Sequence, residues 1–308
     1  MFKKEMIELS ILLTCFNRKE KTVEALQTIF EAIDYYNENC DSQIKVSVFL
    51  TDDGCTDGTS DAVINKYPSK SIHIIHAEGN AYWAGGMRMA WRKAIEYNSK
   101  VVFYILINDD VRFKKDSIIE LIHTHEYAVQ KYGKGGIYSG FISEYGNENK
   151  IIYGAKKYVK GVFAKSINIT PTGIPQECEM VNANMLMVSA NVVEKIGILD
   201  DVFIHAAADL DYGMRARQAN LPVLTTSCVC GFSEFDHDNS NMEFEKVKAM
   251  TFTERKAYLD KPTIKQYHDS LVFFKRYNKI KYIILGFSYY INLFFPTIYY
   301  RLYKRRGH

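Results

Sequence analysis

The sequence predicts an α/β fold, a mostly parallel sheet flanked by helices, and three observations predict it. Apolar strand-like runs alternate with segments of helical period over the first 110 residues. The connections between them are short, as in repeated strand–helix–strand units. Each strand-like run also ends in a loop rich in Asp, Asn, Thr or Gly. Ligands of such sheets bind outside the carboxyl ends of the strands, so those loops are where chemistry is expected.

Taken in order, Ile7 to Leu13 reads as a buried strand, followed by the loop Thr14-Cys15-Phe16-Asn17-Arg18. Lys21 to Tyr36 carries apolar residues at Val23, Leu26, Ile29, Phe30 and Ile33, which is helical spacing. Val46 to Leu50 is a second strand, running into Thr51-Asp52-Asp53-Gly54-Cys55. Thr59 or Ser60 can cap a helix reaching about Tyr67. His73 to His76 is the third strand, and Gly79-Asn80 opens a loop carrying Trp83-Ala84-Gly85-Gly86. Met87 to Tyr97 is a helix, and Val101 to Ile107 is a fourth strand that delivers Asn108-Asp109-Asp110. Beyond a helix from Ser117 to Lys131 the pattern is irregular and more β-rich to about Thr172. Met180 to Val188 then reads as one strand, Val192 to Ile196 as a short helix, Asp209 to Ala219 as a helix and Val223 to Phe232 as a strand.

Composition narrows the classes. At 308 residues, 47% hydrophobic and 24% charged, the chain buries a large core, which excludes wholesale disorder. Residues 1–240 carry 25 Lys and Arg against 31 Asp and Glu, whereas residues 241–308 carry 14 against 5. An acidic body with a basic tail argues against a nucleic-acid binder built across the chain and points to one local basic surface. The six cysteines form no CxxC pair, so reduced thiols in a cytoplasmic protein are expected. Met1 to Met6 leads directly into a strand, without the apolar core of a signal peptide.

The strand end at Asn108-Asp109-Asp110 carries the sharpest chemistry. An unpaired carboxylate at the end of a buried strand loses hydration at a cost of several kcal/mol, and a cation removes that cost. Hard oxygen ligands suit Mg²⁺ or Mn²⁺, which in turn binds substrate phosphates. The competing reading is a solvated turn, for which Asp and Asn are common residues. Asp52 or Asp53 can accept a hydrogen bond from a base N–H, or simply cap a turn. Thr14, Phe16 and Asn17 lie in the neighbouring loop, where they could hold the same nucleoside, and Gly85-Gly86 at a helix start permits close approach to phosphate or sugar. Asp209-Leu210-Asp211 is a second acidic pair, able to supply a general base or merely to sit at a helix N-terminus. His237 could complete a metal site begun by Asp110, although a lone surface histidine is commoner.

The order TCFNR, DDGCTDGT, GNAYWAGG, INDDV, AADLDYGMRA and HDNS resembles the family 2 glycosyltransferases of the GT-A fold, over roughly residues 7–240, with Val181 to Asn220 similar to that family's acceptor-side segment. The resemblance implies a catalytic domain over 1–240, its nucleotide-binding half about 1–112 and its acceptor half about 113–240. It implies an inverting transfer of a sugar from a nucleotide diphosphate, UDP favoured and dTDP an alternative, to a hydroxyl of a glycan or lipid-linked acceptor. Carried over by position, Asp52 or Asp53 binds the base, and Thr14, Phe16, Asn17, Arg18, Asn80, Trp83, Gly85, Gly86, Asn108 and Asp109 line the donor. Asp110 and His237 hold Mn²⁺ or Mg²⁺, and Asp209 deprotonates the acceptor with Asp211 as fallback. Two positions depart from the pattern: Asn108 stands first in the DxD-type motif, and Ala208 stands where an acid usually precedes the base. The competing functions are a sugar nucleotidylyltransferase, which would bring a Gly-rich basic phosphate loop absent at Thr14 to Arg18, and a non-catalytic carbohydrate-binding relative.

Residues 241–308 form a basic, aromatic, helical region. Tyr282 to Tyr300 is 19 residues without a charge, flanked by Lys279 and Lys281 and by Arg301, Lys304, Arg305 and Arg306. A spanning helix needs about 20 apolar residues, and the tyrosines, Asn292 and Pro296 make this run too polar for one. A segment lying on an anionic membrane surface fits better, so residues 280–308 are expected to make peripheral contact with the inner face of the cell membrane. The alternatives are packing on the catalytic domain or on a second subunit in a homodimer.

Overall fold

The computed structural model describes residues 6–159, 165–234 and 246–304. The strands are β1 (Met6–Cys15), β2 (Gln43–Asp52), β3 (Ile72–His76), β4 (Phe103–Ile107), β5 (Arg112–Phe113), β6 (Ile137–Glu144), β7 (Asn147–Tyr153), β8 (Ala155–Val159), β9 (Lys165–Asn168), β10 (Met180–Val181), β11 (Met185–Ser189) and β12 (Val223–Ser233). The helices are α1 (Lys19–Asn39), α2 (Thr59–Lys66), α3 (Tyr82–Tyr97), α4 (Ser117–Tyr132), α5 (Ala190–Ile196), α6 (Ala208–Gln218), α7 (Phe252–Leu259), α8 (Tyr267–Tyr277), α9 (Lys279–Phe294) and α10 (Pro296–Lys304).

The main sheet runs β3-β2-β1-β4-β11-β6-β12-β5, with β7 on β6. The first four strands are parallel, as the alternation predicts. β11 then enters antiparallel between β4 and β6, where Met185 pairs with Ile107. Central strands such as β4 are buried at every position, because helices cover both faces. One core packs α1 and α4 on one face, including Leu26, Ile29, Phe30, Leu121 and Ile122. The other packs α3 and α6 on the opposite face around Trp91 and Tyr212. The result is a mostly parallel α/β sheet between two helical layers, the class the sequence predicts.

Three sequence expectations change. Met180 to Val188 is not one strand: β10 joins a small sheet with β8 and β9, and the turn Asn182–Asn184 separates it from β11. Trp83 to Gly86 is not loop, because α3 begins at Tyr82. The charge-free run Tyr282 to Tyr300 is two helices divided at Phe295–Pro296, since proline lacks the N–H and its ring clashes in a helix interior. No helix among the described residues is long and apolar enough to cross a membrane.

Candidate active site

The loops after β1, β2 and β3 are joined by short polar side chains. Asn17, at φ 51°, accepts from the Thr56 N–H at 2.7 Å. Asp57 accepts from the Lys19 N–H at 3.0 Å. The Asp52 carboxylate accepts from the Cys55 N–H at 2.6 Å and from the Ser60 hydroxyl. Burial alone would raise its pKa, but these hydrogen bonds hold it below the usual carboxylate value. Asp53 is buried and accepts from three backbone N–H groups, Gly79 and Ala81 at 3.0 Å and Tyr82 at 2.9 Å. Both Asp53 oxygens are taken by backbone N–H groups, so Asp53 anchors the loop before α3, while both Asp52 oxygens are taken within its own loop by the Cys55 N–H and the Ser60 hydroxyl.

Gly86 serves packing within α3. A Cβ there would overlap the Thr14 hydroxyl and lie 2.9 Å from Thr14 Cβ, while Thr51 Oγ1 donates to the Gly86 carbonyl at 2.8 Å. Gly85 is not required by space, since its nearest would-be contact is 3.6 Å away. Asn80 and Phe16 are exposed on the loops.

At the end of β4, Arg18 Nη1 donates to Asp109 Oδ1 at 2.8 Å and to Asp110 Oδ2 at 3.1 Å. Asp109 is buried, and desolvation pushes its carboxyl up to about 6 even with Arg18 beside it. Asp110 Oδ1 is buried and has no hydrogen-bond partner among the described residues. That orphaned oxygen beside a second carboxylate fits a divalent cation, although no cluster of three ligating side chains exists among the described residues. His237, the other ligand expected, lies outside the described residues. Asn108 uses both ends of its amide: Oδ1 accepts from the Trp83 indole at 2.8 Å, and Nδ2 donates to Asn184 Oδ1 at 3.2 Å. A carboxylate could not make the second bond.

The turn holding Asn184 also reaches Asp209. Asp209 Oδ2 accepts from the Ala183 N–H at 3.1 Å, and Oδ1 accepts from the Leu210 N–H at 2.8 Å. Burial pushes the Asp209 carboxyl above its ordinary value against those two bonds. The short turn Asn182–Asn184 thus bridges Asp209 to the Asn108-Asp109-Asp110 strand end. Asp211 points elsewhere and is not available as a base. It is fully buried, and its oxygens bind Arg215 Nε at 2.8 Å, Arg276 Nη1 at 2.8 Å and the Tyr277 hydroxyl at 2.9 Å. Adjacent helix positions face different ways, so the pair divides into one residue toward the turn and one into the α8 contact.

Sequence reading missed Asn184, His205 and Asp269. Asp269, on α8, accepts from the Ile204, His205 and Ala206 N–H groups at 3.0, 2.7 and 2.7 Å. His205 stacks edge-on to Tyr82 at 6.2 Å, joining the loops that precede α6 and α3, and its Nδ1 is buried without a hydrogen-bond partner among the described residues. The only cue in the sequence was proximity, His205 standing four residues before Asp209.

Comparison with known proteins agrees with this architecture. The solved structure of residues 1–349 of S. aureus TarS in complex with UDP-GlcNAc superposes at a TM-score of 0.51 with 12% identity, over 92% of this chain and 73% of that one. Mannosyltransferase PcManGT from Pyrobaculum calidifontis, in complex with GDP-Man and Mn²⁺, gives 0.50 with 13% identity, over 96% and 82%. In sequence, the low-salt glycan biosynthesis hexosyltransferase Agl10 of Haloferax volcanii is 25% identical over 174 residues, 54% of this chain and 53% of that relative. The chain therefore matches about half the length of that relative. The sequence profile described as glycosyl transferase family 2 matches residues 10–172, more than half of the 308, and the chain belongs to that family.

Proposed function

We propose that this glycosyltransferase inverts the anomeric carbon of a nucleotide-diphosphate hexose while moving it to a hydroxyl of a glycan or lipid-linked saccharide. UDP-sugars are the first donors to try, with dTDP- and GDP-sugars behind them. The observation that carries the reading is the bridge from Asp209 through Ala183 and Asn184 to Asn108, which sets a base candidate beside the acidic strand end. Asp209 takes the proton of the acceptor hydroxyl as that oxygen bonds to the anomeric carbon. The bond from the anomeric carbon to the diphosphate oxygen breaks, its electron pair leaving with the nucleoside diphosphate. A raised carboxyl pKa makes Asp209 the better proton acceptor.

Asp110, with Asp109 beside it, would hold a divalent cation, whose chemistry is to take up charge developing on the leaving diphosphate. Arg18, already bonded to both carboxylates, contributes positive charge on the same side. Asp52 and the Asn17 loop would hold the base, and Trp83 keeps Asn108 in place. Asp209→Asn is expected to keep UDP and Mn²⁺ binding, read by thermal shift, and to lose transfer by about 10²–10⁴-fold. Wild-type transfer by that variant overturns the assignment.

The proposed workplace is the inner face of the cell membrane, with α9 and α10 lying on anionic lipid. Phe287 and Tyr290 on α9 are 65% and 58% exposed, and Phe295 at the break before α10 is 59% exposed, in a stretch that carries Lys279, Lys281 and Arg301. An apolar face with basic neighbours complements an anionic interface, and α9 at 16 residues spans about 24 Å against a hydrocarbon core of about 30 Å. The chain should float with phosphatidylglycerol-containing vesicles and not with phosphatidylcholine alone, and Phe287→Ser should weaken flotation. Equal sedimentation with both, or a dimer that Phe287→Ser dissociates, would give this face to a second subunit instead.

A further inference from the structure

We infer that Asp269, from the C-terminal helical region, is a positioning residue for the acceptor side of the active site. It sets the backbone of Ile204–Ala206, from which α6 and Asp209 start. The inference rests on the reading of Asp209 as the base.

Residues 204–207 form no helix or strand, yet three consecutive N–H groups converge on one carboxylate that is 1% exposed. A buried carboxylate would be costly there without such donors. Burial by itself raises its pKa, but His268 Nδ1 at 2.8 Å and the three N–H groups hold it below the usual value, so it is an anion built into this contact. The next residue, Ala207, takes the left-handed conformation at φ 59°, which a residue with a Cβ adopts only at a cost. That conformation turns the chain from the pinned segment into the first turn of α6, where Asp209 meets the Ala183 N–H. Two further residues of α8 brace the same unit: Arg276 binds Asp200 and Asp211, and the Tyr277 hydroxyl binds Asp211. The segment so held also presents His205 to Tyr82 at the head of α3. Among the described residues no member of this network is hydrogen-bonded to Asp52, Asp109 or Asp110, so its loss should separate acceptor use from donor binding.

Amide hydrogen exchange on the full chain tests the contact without a variant. Ile204, His205 and Ala206 should exchange slowly despite lying in irregular structure, and exchange as fast as at exposed Asn80 overturns the inference. Asp269→Asn keeps one acceptor oxygen and the side-chain shape. It should speed exchange at 204–206 and lower kcat for transfer to alkyl glycosides by about tenfold to a hundredfold, the scale of an ångström-sized misplacement. The thermal shift given by UDP with Mn²⁺ should stay at the wild-type value. His268→Ala leaves the three N–H bonds and should retain wild-type kcat. Equal losses of UDP affinity and of transfer in Asp269→Asn would mark a merely structural residue and overturn the proposal. If Asp209→Asn is inactive while Asp269→Asn is fully active, the positioning role alone fails. If Asp209→Asn is active while Asp269→Asn is impaired, the base assignment alone fails.

Discussion

The two regions proposed above for donor and acceptor are built on the same device from different distances along the chain. In the first, Asp53 accepts three backbone N–H groups of residues 79–82, Tyr82 turns left-handed at φ 53°, and α3 begins. In the second, Asp269 accepts three from residues 204–206, Ala207 turns left-handed at φ 59°, and α6 begins. Each carboxylate holds the backbone leading into a helix whose N-cap residue, Ala81 or Ala207, makes no side-chain cap hydrogen bond. The regions differ in what supplies the carboxylate. Asp53 belongs to the adjacent strand–loop–helix unit, whereas Asp269 comes from beyond the sheet, in the basic C-terminal region. The Asp53 side is therefore closed locally, and the Asp269 side depends on α8 docking.

That dependence is strongest at Asp211. Removing it leaves Arg215 and Arg276 without their buried partner and the Tyr277 hydroxyl without its acceptor. Asp211→Ala is expected to lower unfolding free energy by about 3–5 kcal/mol, measured by urea denaturation. A loss well under 1 kcal/mol would break the comparison, because α8 would then not be braced against α6 by charge.

How much of this was legible depends on sequence separation and on side-chain direction. The parallel half was readable because β1 to β4 and their helices carry local periodicity, and the polar strand ends were visible as such. Asp53 stood out as an acid, but nothing in DDG reveals that its oxygens face backbone N–H groups 26 to 29 residues on. Asn108 looked like a lost metal ligand until its amide was seen to join Trp83 to Asn184. The split of Met180 to Val188 was hidden because a continuous apolar run does not reveal the sheet its halves join. Asp269 carried no signal, since a single acid in a basic helix is an ordinary surface residue until the loop above it is placed.

The smaller effect, and the sharper test of the symmetry, is Asp53→Asn. The substitution trades an acceptor oxygen for an amide nitrogen that cannot accept from a backbone N–H, so at least one of Gly79, Ala81 and Tyr82 loses its partner. The loop cannot relax freely, because Gly54 and Gly79 meet closely: a Cβ on Gly54 would lie 2.9 Å from Gly79 N. Strain should pass to Tyr82 and Trp83, and through the indole to Asn108. Net loss of one such bond is about 1–2 kcal/mol, so UDP affinity measured by calorimetry with Mn²⁺ should fall by about tenfold. Amide exchange should quicken at Gly79, Ala81 and Tyr82 and stay slow at 204–206, the mirror image of Asp269→Asn. If Asp53→Asn instead loosens both segments, the Tyr82–His205 contact joins the two regions into one unit and the two anchors are not independent.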